Sequence, residues 1–172
     1  LSSGEEKQLT TDGIENFGYA TDNAGWRKSD KPIVLWSPDS KKIETYQQDQ
    51  RHVSDMHLVT TNVGAPTLKS WKYPLPQDEK IIQIERVIIE VDNGKMIRLD
   101  MPSDDRRATL CDDISCSGAF DDNQWINDGQ QLVFVSSTRD HKVAQLRIAD
   151  ASTGKVRDIL KEEVATQYES GQ

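Results

Sequence analysis

The sequence predicts an all-β chain in which antiparallel four-stranded units repeat about a ring, and three observations carry that expectation. The stretch Val34-Leu35-Trp36-Ser37-Pro38-Asp39-Ser40-Lys41-Lys42-Ile43-Glu44-Thr45-Tyr46 has the form of a strand, a tight polar turn and a second strand. Proline presets φ for the first central turn position, and Asp39 can accept hydrogen bonds from the backbone just after it, so the chain reverses here. A degraded copy stands at Gln124-Trp125-Ile126-Asn127-Asp128-Gly129-Gln130-Gln131-Leu132-Val133-Phe134-Val135, with Trp36 and Trp125, Asp39 and Asp128, and Ile43 and Leu132 all separated by one common spacing. A repeated Trp-turn-strand unit marks an architecture of sheets packed in succession around an axis. Asp92-Asn93-Gly94-Lys95 and Asp150-Ala151-Ser152-Thr153-Gly154-Lys155 are turn signals between β-prone runs, which makes successive strands antiparallel.

Residues 1–32 are expected to hold the end of a preceding blade and a loop. Lys7-Gln8-Leu9-Thr10 has the look of a strand tail, Phe17-Gly18-Tyr19-Ala20 of a short strand, and Thr21 to Asp30 of a polar excursion with no helical period. The first complete unit spans 33–101. Its strands are expected at Ile33–Trp36, Ile43–Gln48, Ile81–Val91 (with Ile84, Val87, Ile89 and Val91 giving near alternation) and Met96–Met101. A blade usually takes about 40–50 residues, and the repeat spacing is about twice that, so an inserted hairpin is expected at about 49–77. Within it Met56–Thr60 is expected to return against the Ile43–Gln48 strand, and the proline-interrupted Trp71–Pro76 to lie at a sheet edge. The second unit, 102–165, contains Gln124–Ile126, Leu132–Ser136, Val143–Ala149 and Val156–Leu160, and 166–172 begins the next connection. Trp36 and Trp125, each leading into an equivalent turn, are expected to be wedges between units.

Composition narrows the function. With 21 basic and 29 acidic residues and a net charge of −8, the chain is a poor match for a phosphate backbone, so nucleic acid is disfavoured as a partner. Arg106-Arg107, flanked by Asp104 and Asp105, fits a solvated mixed-charge loop. No apolar run approaches the roughly 20 residues of a membrane helix. Cys111 and Cys116 are compatible with a local bridge or with two reduced thiols. His52, Asp55 and His57 match no standard metal spacing, Glu162-Glu163 fits a solvated pair following the last strand, and no glycine-rich phosphate loop or dinucleotide fingerprint occurs. No metal or cofactor is therefore expected.

Trp36-Ser37-Pro38-Asp39-Ser40-Lys41-Lys42-Ile43, then Tyr73-Pro74, then Leu110-Cys111-Asp112, and then the Asp150–Lys155 turn resemble, in motif and order, the N-terminal β-propeller of the dipeptidyl peptidase IV family of serine peptidases. The resemblance covers nearly the whole chain. It implies an eight-bladed propeller, of which about two blades and the rim of a third are present. It also implies a C-terminal α/β-hydrolase domain as partner, a peptide substrate, and a periplasmic or otherwise exported location. The family's nucleophile stands in a Gly-x-Ser-x-Gly elbow, and none occurs here, so no catalytic residue is assigned to this chain. The family's glutamate pair precedes the Trp-Ser-Pro-Asp turn, where this chain has Thr21-Asp22-Asn23-Ala24-Gly25-Trp26 instead. Asp22, Asn23 and Trp26 are accordingly the candidate substrate-binding residues. Asp22 is set either to accept from a peptide ammonium or to close a loop turn, and Trp26 either to face a ligand or to fold back on the sheet. The expected function is substrate gating and positioning of the peptide N-terminus within a parent peptidase; the alternative is a propeller used only as a binding module. Two blades taken alone would leave sheet edges and apolar faces open, so self-association is expected.

Overall fold

The computed structural model describes residues 4–21, 30–61, 63–105 and 123–167. Leu110, Cys111, Asp112 and Cys116, and the Arg106-Arg107 pair, lie outside the described residues. Twelve strands are described: β1 (Phe17–Tyr19), β2 (Leu35–Trp36), β3 (Lys42–Asp49), β4 (Asp55–Thr60), β5 (Thr67–Lys72), β6 (Gln83–Glu90), β7 (Met96–Arg98), β8 (Asp104–Asp105), β9 (Asn123–Ile126), β10 (Gln131–Ser137), β11 (Val143–Asp150) and β12 (Val156–Glu163). Every strand pair is antiparallel.

The strands form two blades and a ribbon. In the first blade β2, β3, β6 and β7 pair in succession, while β1 extends the β3 edge and β8 the β6 edge. The second blade runs β9-β10-β11-β12. The repeat seen in sequence is a repeat of register: Trp36 pairs with Ile43, and Trp125 pairs with Leu132. At the first turn Ser40 N–H donates to the Ser37 carbonyl at 2.9 Å, Asp39 Oδ1 accepts from the Ser37 hydroxyl at 2.6 Å, and the same oxygen accepts from Lys41 N–H at 3.1 Å. The corresponding turn of the second blade runs through Asn127, Asp128 and Gly129, all with positive φ. The two turns touch, because Lys42 Nζ donates to the Gly129 carbonyl at 3.1 Å.

The core lies between the blades. Ile88, Ile97 and Leu99 of the first pack against Trp125, Leu132, Phe134, Ala149 and Ala151 of the second. Burying a side chain the size of Leu132 or Phe134 stabilises by about 1.5–3 kcal/mol, against about 1 kcal/mol for a single neutral hydrogen bond. Apolar contact therefore holds the blades together, and the bond from Trp125 Nε1 to the Leu35 carbonyl, 3.2 Å, fixes their alignment. A second contact joins them at the Asp150–Lys155 turn. Asp150 accepts from the backbone and hydroxyls of Ser152 and Thr153, bonds led by the Ser152 hydroxyl, and its carboxyl is held down to about 2. Gly154, at φ +75°, lies against the Arg98 carbonyl, and its own carbonyl accepts from Asp100 N–H at 2.8 Å.

Several expectations are corrected. Lys7–Thr10 forms no strand. Met56–Thr60 does not return against β3; β4 pairs with β5 from Asp55–Lys72 to Thr60–Thr67, making a separate two-stranded ribbon. Apolar pattern specifies a strand but not its partner, and β3 is already flanked by β6 on one side and by β1 and β2 on the other. β6 does not alternate, since Ile84, Arg86, Val87, Ile88 and Ile89 are all buried: it is an inner strand with both faces covered. Trp125 is a wedge at 8% exposure, but Trp36 is 51% exposed: among the described residues nothing packs over it as the first blade packs over Trp125. Glu162-Glu163 does not follow the last strand but lies inside β12, exposed.

Replacing Gly154 with alanine should destabilise the fold by about 2–4 kcal/mol, because a Cβ there overlaps the Arg98 carbonyl at a left-handed φ. A urea titration of Gly154→Ala beside the parent chain measures it; an unchanged midpoint would mean that the turn does not dock on the first blade.

Candidate functional site

Where the ribbon leaves the first blade, the backbone is pinned by short-range bonds. Gln50 N–H donates to the Asn16 carbonyl at 2.8 Å, Val53 N–H to the Gln50 carbonyl at 3.2 Å, and Tyr73 N–H to the Ser54 carbonyl at 2.9 Å. Lys72 Nζ donates to the Val53 carbonyl at 3.0 Å and pairs with Asp55 at 3.2 Å. Asp49 accepts from Arg51 N–H and Nε, and these bonds, the Arg51 side chain first, lower the Asp49 pKa. The Arg51 guanidinium lies 4.0 Å from the centre of the Phe17 ring, holding the bend against β1.

The short turn before β1 closes through Ile14 and Phe17, whose backbones exchange bonds at 3.2 and 2.9 Å. After β1, Ala20 N–H donates to the Tyr46 carbonyl and Ile33 N–H to the Ala20 carbonyl, both at 3.0 Å, while the Tyr46 hydroxyl donates to the Thr21 carbonyl at 2.9 Å. The chain that carries 22–29 thus departs and returns at one anchored point beside Tyr46, which is fully buried with Ile33 and Ile84.

Between these parts lies a cleft of about 530 Å³, within the usual range for small-ligand sites. Among the described residues it is lined by Ile14, Glu15, Asn16, Gly18 and Thr21 around β1, by Gln50, and by Asp55, Ser70, Trp71 and Lys72 of the ribbon. Two of these residues each carry a side-chain atom that is buried and has no hydrogen-bond partner among the described residues, Gln50 Oε1 and Trp71 Nε1. The cleft was not legible in the sequence, because three separate segments build it and Gln50 sits inside what reads as a charged bend. A lone tryptophan on the otherwise polar end of β5 is the one signal that could have pointed there.

The candidate residues Asp22, Asn23 and Trp26 lie outside the described residues; their neighbour Thr21 lines the cleft. Glu162 and Glu163 are on the second blade, away from it, with Glu163 taking a bond from Lys161 Nζ at 2.9 Å. His57 Nδ1 lies 2.8 Å from Ser70 Oγ across the ribbon. Among the described residues no group of three His, Cys, Asp or Glu side chains could hold a metal ion.

A second polar constellation is sealed between the blades. Arg86 Nε donates to Asp104 Oδ2 at 2.8 Å, its Nη1 to Asn123 Oδ1 at 3.0 Å, and its Nη2 to the Val135 carbonyl at 3.2 Å. Asn123 Nδ2 in turn donates to both Glu44 oxygens at 3.2 Å. Ser136 donates to Asp104 at 2.9 Å, and Arg147 stands 3.6 Å from the same carboxylate. Glu44 is fully buried, and removal from water pushes its pKa up to about 8. Arg86 at 3.7 Å and Asn123 pull the other way, but the guanidinium's short bond is to Asp104, so desolvation prevails. Bonded on all sides and closed to solvent, the group is structural and offers no reacting atom to a substrate.

The family model described as the dipeptidyl peptidase IV (DPP IV) N-terminal region matches residues 1–171. Among solved structures, a putative dipeptidyl aminopeptidase IV from Bacteroides ovatus superposes with a TM-score of 0.70 at 20% identity, covering 94% of this chain and 21% of that one. Porphyromonas gingivalis dipeptidyl peptidase 4 superposes with a TM-score of 0.71 at 14% identity, covering 95% of this chain and 22% of that one. The chain spans about a fifth of the length of these structures. No curated protein sequence matches it.

The folded pKa of Glu44 lies above its ordinary value of 4.5, so the native state keeps a proton that the unfolded chain has released. Its contribution to stability is full below about pH 4.5 and is lost as pH rises through about 8. Thermal melts from pH 4 to 9 should show the midpoint falling across that window, and Glu44→Gln should flatten the slope; equal slopes in the two proteins would place the charge elsewhere.

Proposed function

This chain belongs to the family of dipeptidyl peptidase IV N-terminal regions, its six-stranded and four-stranded sheets being blades of a β-propeller, and from that membership we propose that it is part of the non-catalytic propeller of a serine exopeptidase. In this reading the propeller gates entry of a peptide and helps to position its N-terminus, while the reacting serine belongs to an α/β-hydrolase domain elsewhere in the parent protein. The observation that carries the reading is the family match over residues 1–171, joined to the anchored departure of the 22–29 segment beside an open cleft.

Asp22 is the residue assigned to the ammonium end of the peptide, since a carboxylate makes a charge-assisted bond with an ammonium group about twice as strong as a neutral one. Asn23 and Trp26 are assigned to the adjoining main chain and side chain. The location assigned is periplasmic or otherwise exported. Among the described residues no helix is long and apolar enough to cross a membrane.

Exposed apolar side chains on the ribbon (Leu58, Val59, Leu68) and on β12 (Ile159, Leu160), with Trp36 on the first blade, support self-association of the chain on its own. Sedimentation velocity should show species larger than a monomer that grow with concentration; a single monomeric boundary at high concentration counts against it.

Alone, the chain should release no chromophore from Xaa-Pro substrates. In the parent protein Asp22→Ala should raise KM about tenfold with kcat little changed, the pattern of a lost binding contact. A parent protein that cleaves no Xaa-Pro peptide, or an Asp22→Ala variant with unaltered KM, would overturn the assignment.

A further inference from the structure

We propose that β8 is a coupling element: it ties the charge cluster between the blades to the ribbon through Arg139, so that the ribbon keeps its place only while the two blades keep theirs. The ribbon does not fix its own position. Among the described residues β4 and β5 pair only with each other, and most of their side chains are exposed; a lone two-stranded hairpin is marginal in water. Its orientation therefore comes from its two legs, and these are fastened to different blades. The departing leg belongs to the first, where Gln50 N–H is bonded to the Asn16 carbonyl and Arg51 lies over the Phe17 ring. The returning leg is held by the second. Leu75 and Asp78 close a turn, Asp78 N–H donating to the Leu75 carbonyl at 3.0 Å and Leu75 N–H to Asp78 Oδ2 at 2.9 Å. Arg139, in the connection between β10 and β11, spans that turn, its Nη1 donating to the Asp78 carbonyl at 2.9 Å and its Nη2 to the Leu75 carbonyl at 2.6 Å. A guanidinium presents its donors in a rigid fork, so two carbonyls of one turn fix its orientation as well as its distance.

Asp105 positions that fork. Its Oδ2 accepts from Arg139 N–H at 3.1 Å and its Oδ1 from Gln83 Nε2 at 2.8 Å, and Gln83 is where the excursion re-enters the β3–β6 ladder. One carboxylate thus grips both the latch and the strand end beneath it. The adjoining Asp104 points the other way, since consecutive strand residues face opposite sides of a sheet. There it accepts from Arg86 Nε at 2.8 Å and from the Ser136 hydroxyl at 2.9 Å, with Arg147 at 3.6 Å. Ser136 and Arg147 belong to the second blade, so Asp104 follows that blade. Any displacement reaches Asp105 across a single peptide unit, which is planar and stiff. Loss of a bond inside the cluster accordingly loosens a turn that none of the cluster's side chains touches. The cleft shares in this, because Trp71 and Lys72 of its lining stand just before the latched turn. The coupling is independent of what the parent protein cleaves.

Amide hydrogen exchange of the full 172-residue chain, read residue by residue by NMR, tests it. The reporters are the Leu75 and Asp78 amides, and the controls are the Asp150 and Gly154 amides, whose turn docks elsewhere on the first blade. Arg139→Gln should speed exchange at both reporters about tenfold, the effect of losing one or two ordinary hydrogen bonds. Ser136→Ala, which removes a bond to Asp104 and touches nothing in the ribbon, should speed the same two amides about threefold, with the controls unchanged. Asp104→Asn should act in the same direction and more strongly; Ser136→Ala is the milder change that decides the matter if Asp104→Asn does not fold. A double variant carrying Arg139→Gln and Ser136→Ala should exchange no faster at the reporters than Arg139→Gln alone, because the latch is already open. Unchanged reporters in Arg139→Gln or in Ser136→Ala, or effects that simply add in the double variant, overturn the coupling. Faster exchange at reporters and controls alike in Ser136→Ala overturns it as well, since that is a general loss of stability.

Discussion

Everything in this chain depends on one face of each sheet being covered by its neighbour. A four-stranded antiparallel sheet of this size cannot bury its own side chains, so Ile88, Ile97 and Leu99 need Trp125, Leu132 and Phe134 as much as the reverse. The repeat follows from the same need. Because each blade presents the same layer to the next, the residues that enter the turn, Trp36 and Trp125, stand in the same register against the following strand. The touching turns at Lys42 and Gly129 align successive blades without contributing much to their adhesion.

Within that apolar contact sits a cluster of charge whose role is specification. Arg86 reaches from the first blade to Asn123 and the Val135 carbonyl of the second, with Phe134 4.7 Å beneath its guanidinium. Sliding the blades by one residue would strand Arg86, Glu44 and Asp104 without partners in a dry interior, at a cost of several kcal/mol. The cluster thereby admits one alignment of the sheets, whereas greasy side chains alone would accept several. The bulge in β12, where the pairing shifts between Leu146 and Arg147, leaves Arg147 within 3.6 Å of Asp104 while its Nε is bonded to Asp158 at 2.9 Å.

Much of the fold could be read from the residues. The Ser37-Pro38-Asp39-Ser40 turn, the Asp92–Lys95 and Asp150–Lys155 reversals and the strands of the second blade each have local chemical causes, and local causes are visible in a sequence. What could not be read was relational. Met56–Thr60 was apolar enough to be a strand, yet nothing in it names β5 as partner rather than β3. Trp36 and Trp125 occupy equal positions but meet unequal surroundings, so equal sequence gave unequal burial. The cleft was the least visible feature, because Gln50 and Trp71 acquire meaning only when a bend, a ribbon and the turn before β1 converge. The choice of Asp22, Asn23 and Trp26 came from resemblance, and no local property of those residues would have singled them out.

The ribbon is grafted onto its blade in a particular way. Asp49 and Gln83 face each other at the end of the β3–β6 ladder, so the chain leaves the sheet and re-enters it at adjacent points. The ladder closes whether a two-residue reversal or a whole module spans that gap, and each doubling of the excursion adds only about 0.6 kcal/mol of closure entropy. The excursion between Asp49 and Gln83 can therefore be lengthened or shortened while the β3–β6 ladder beneath it keeps its register.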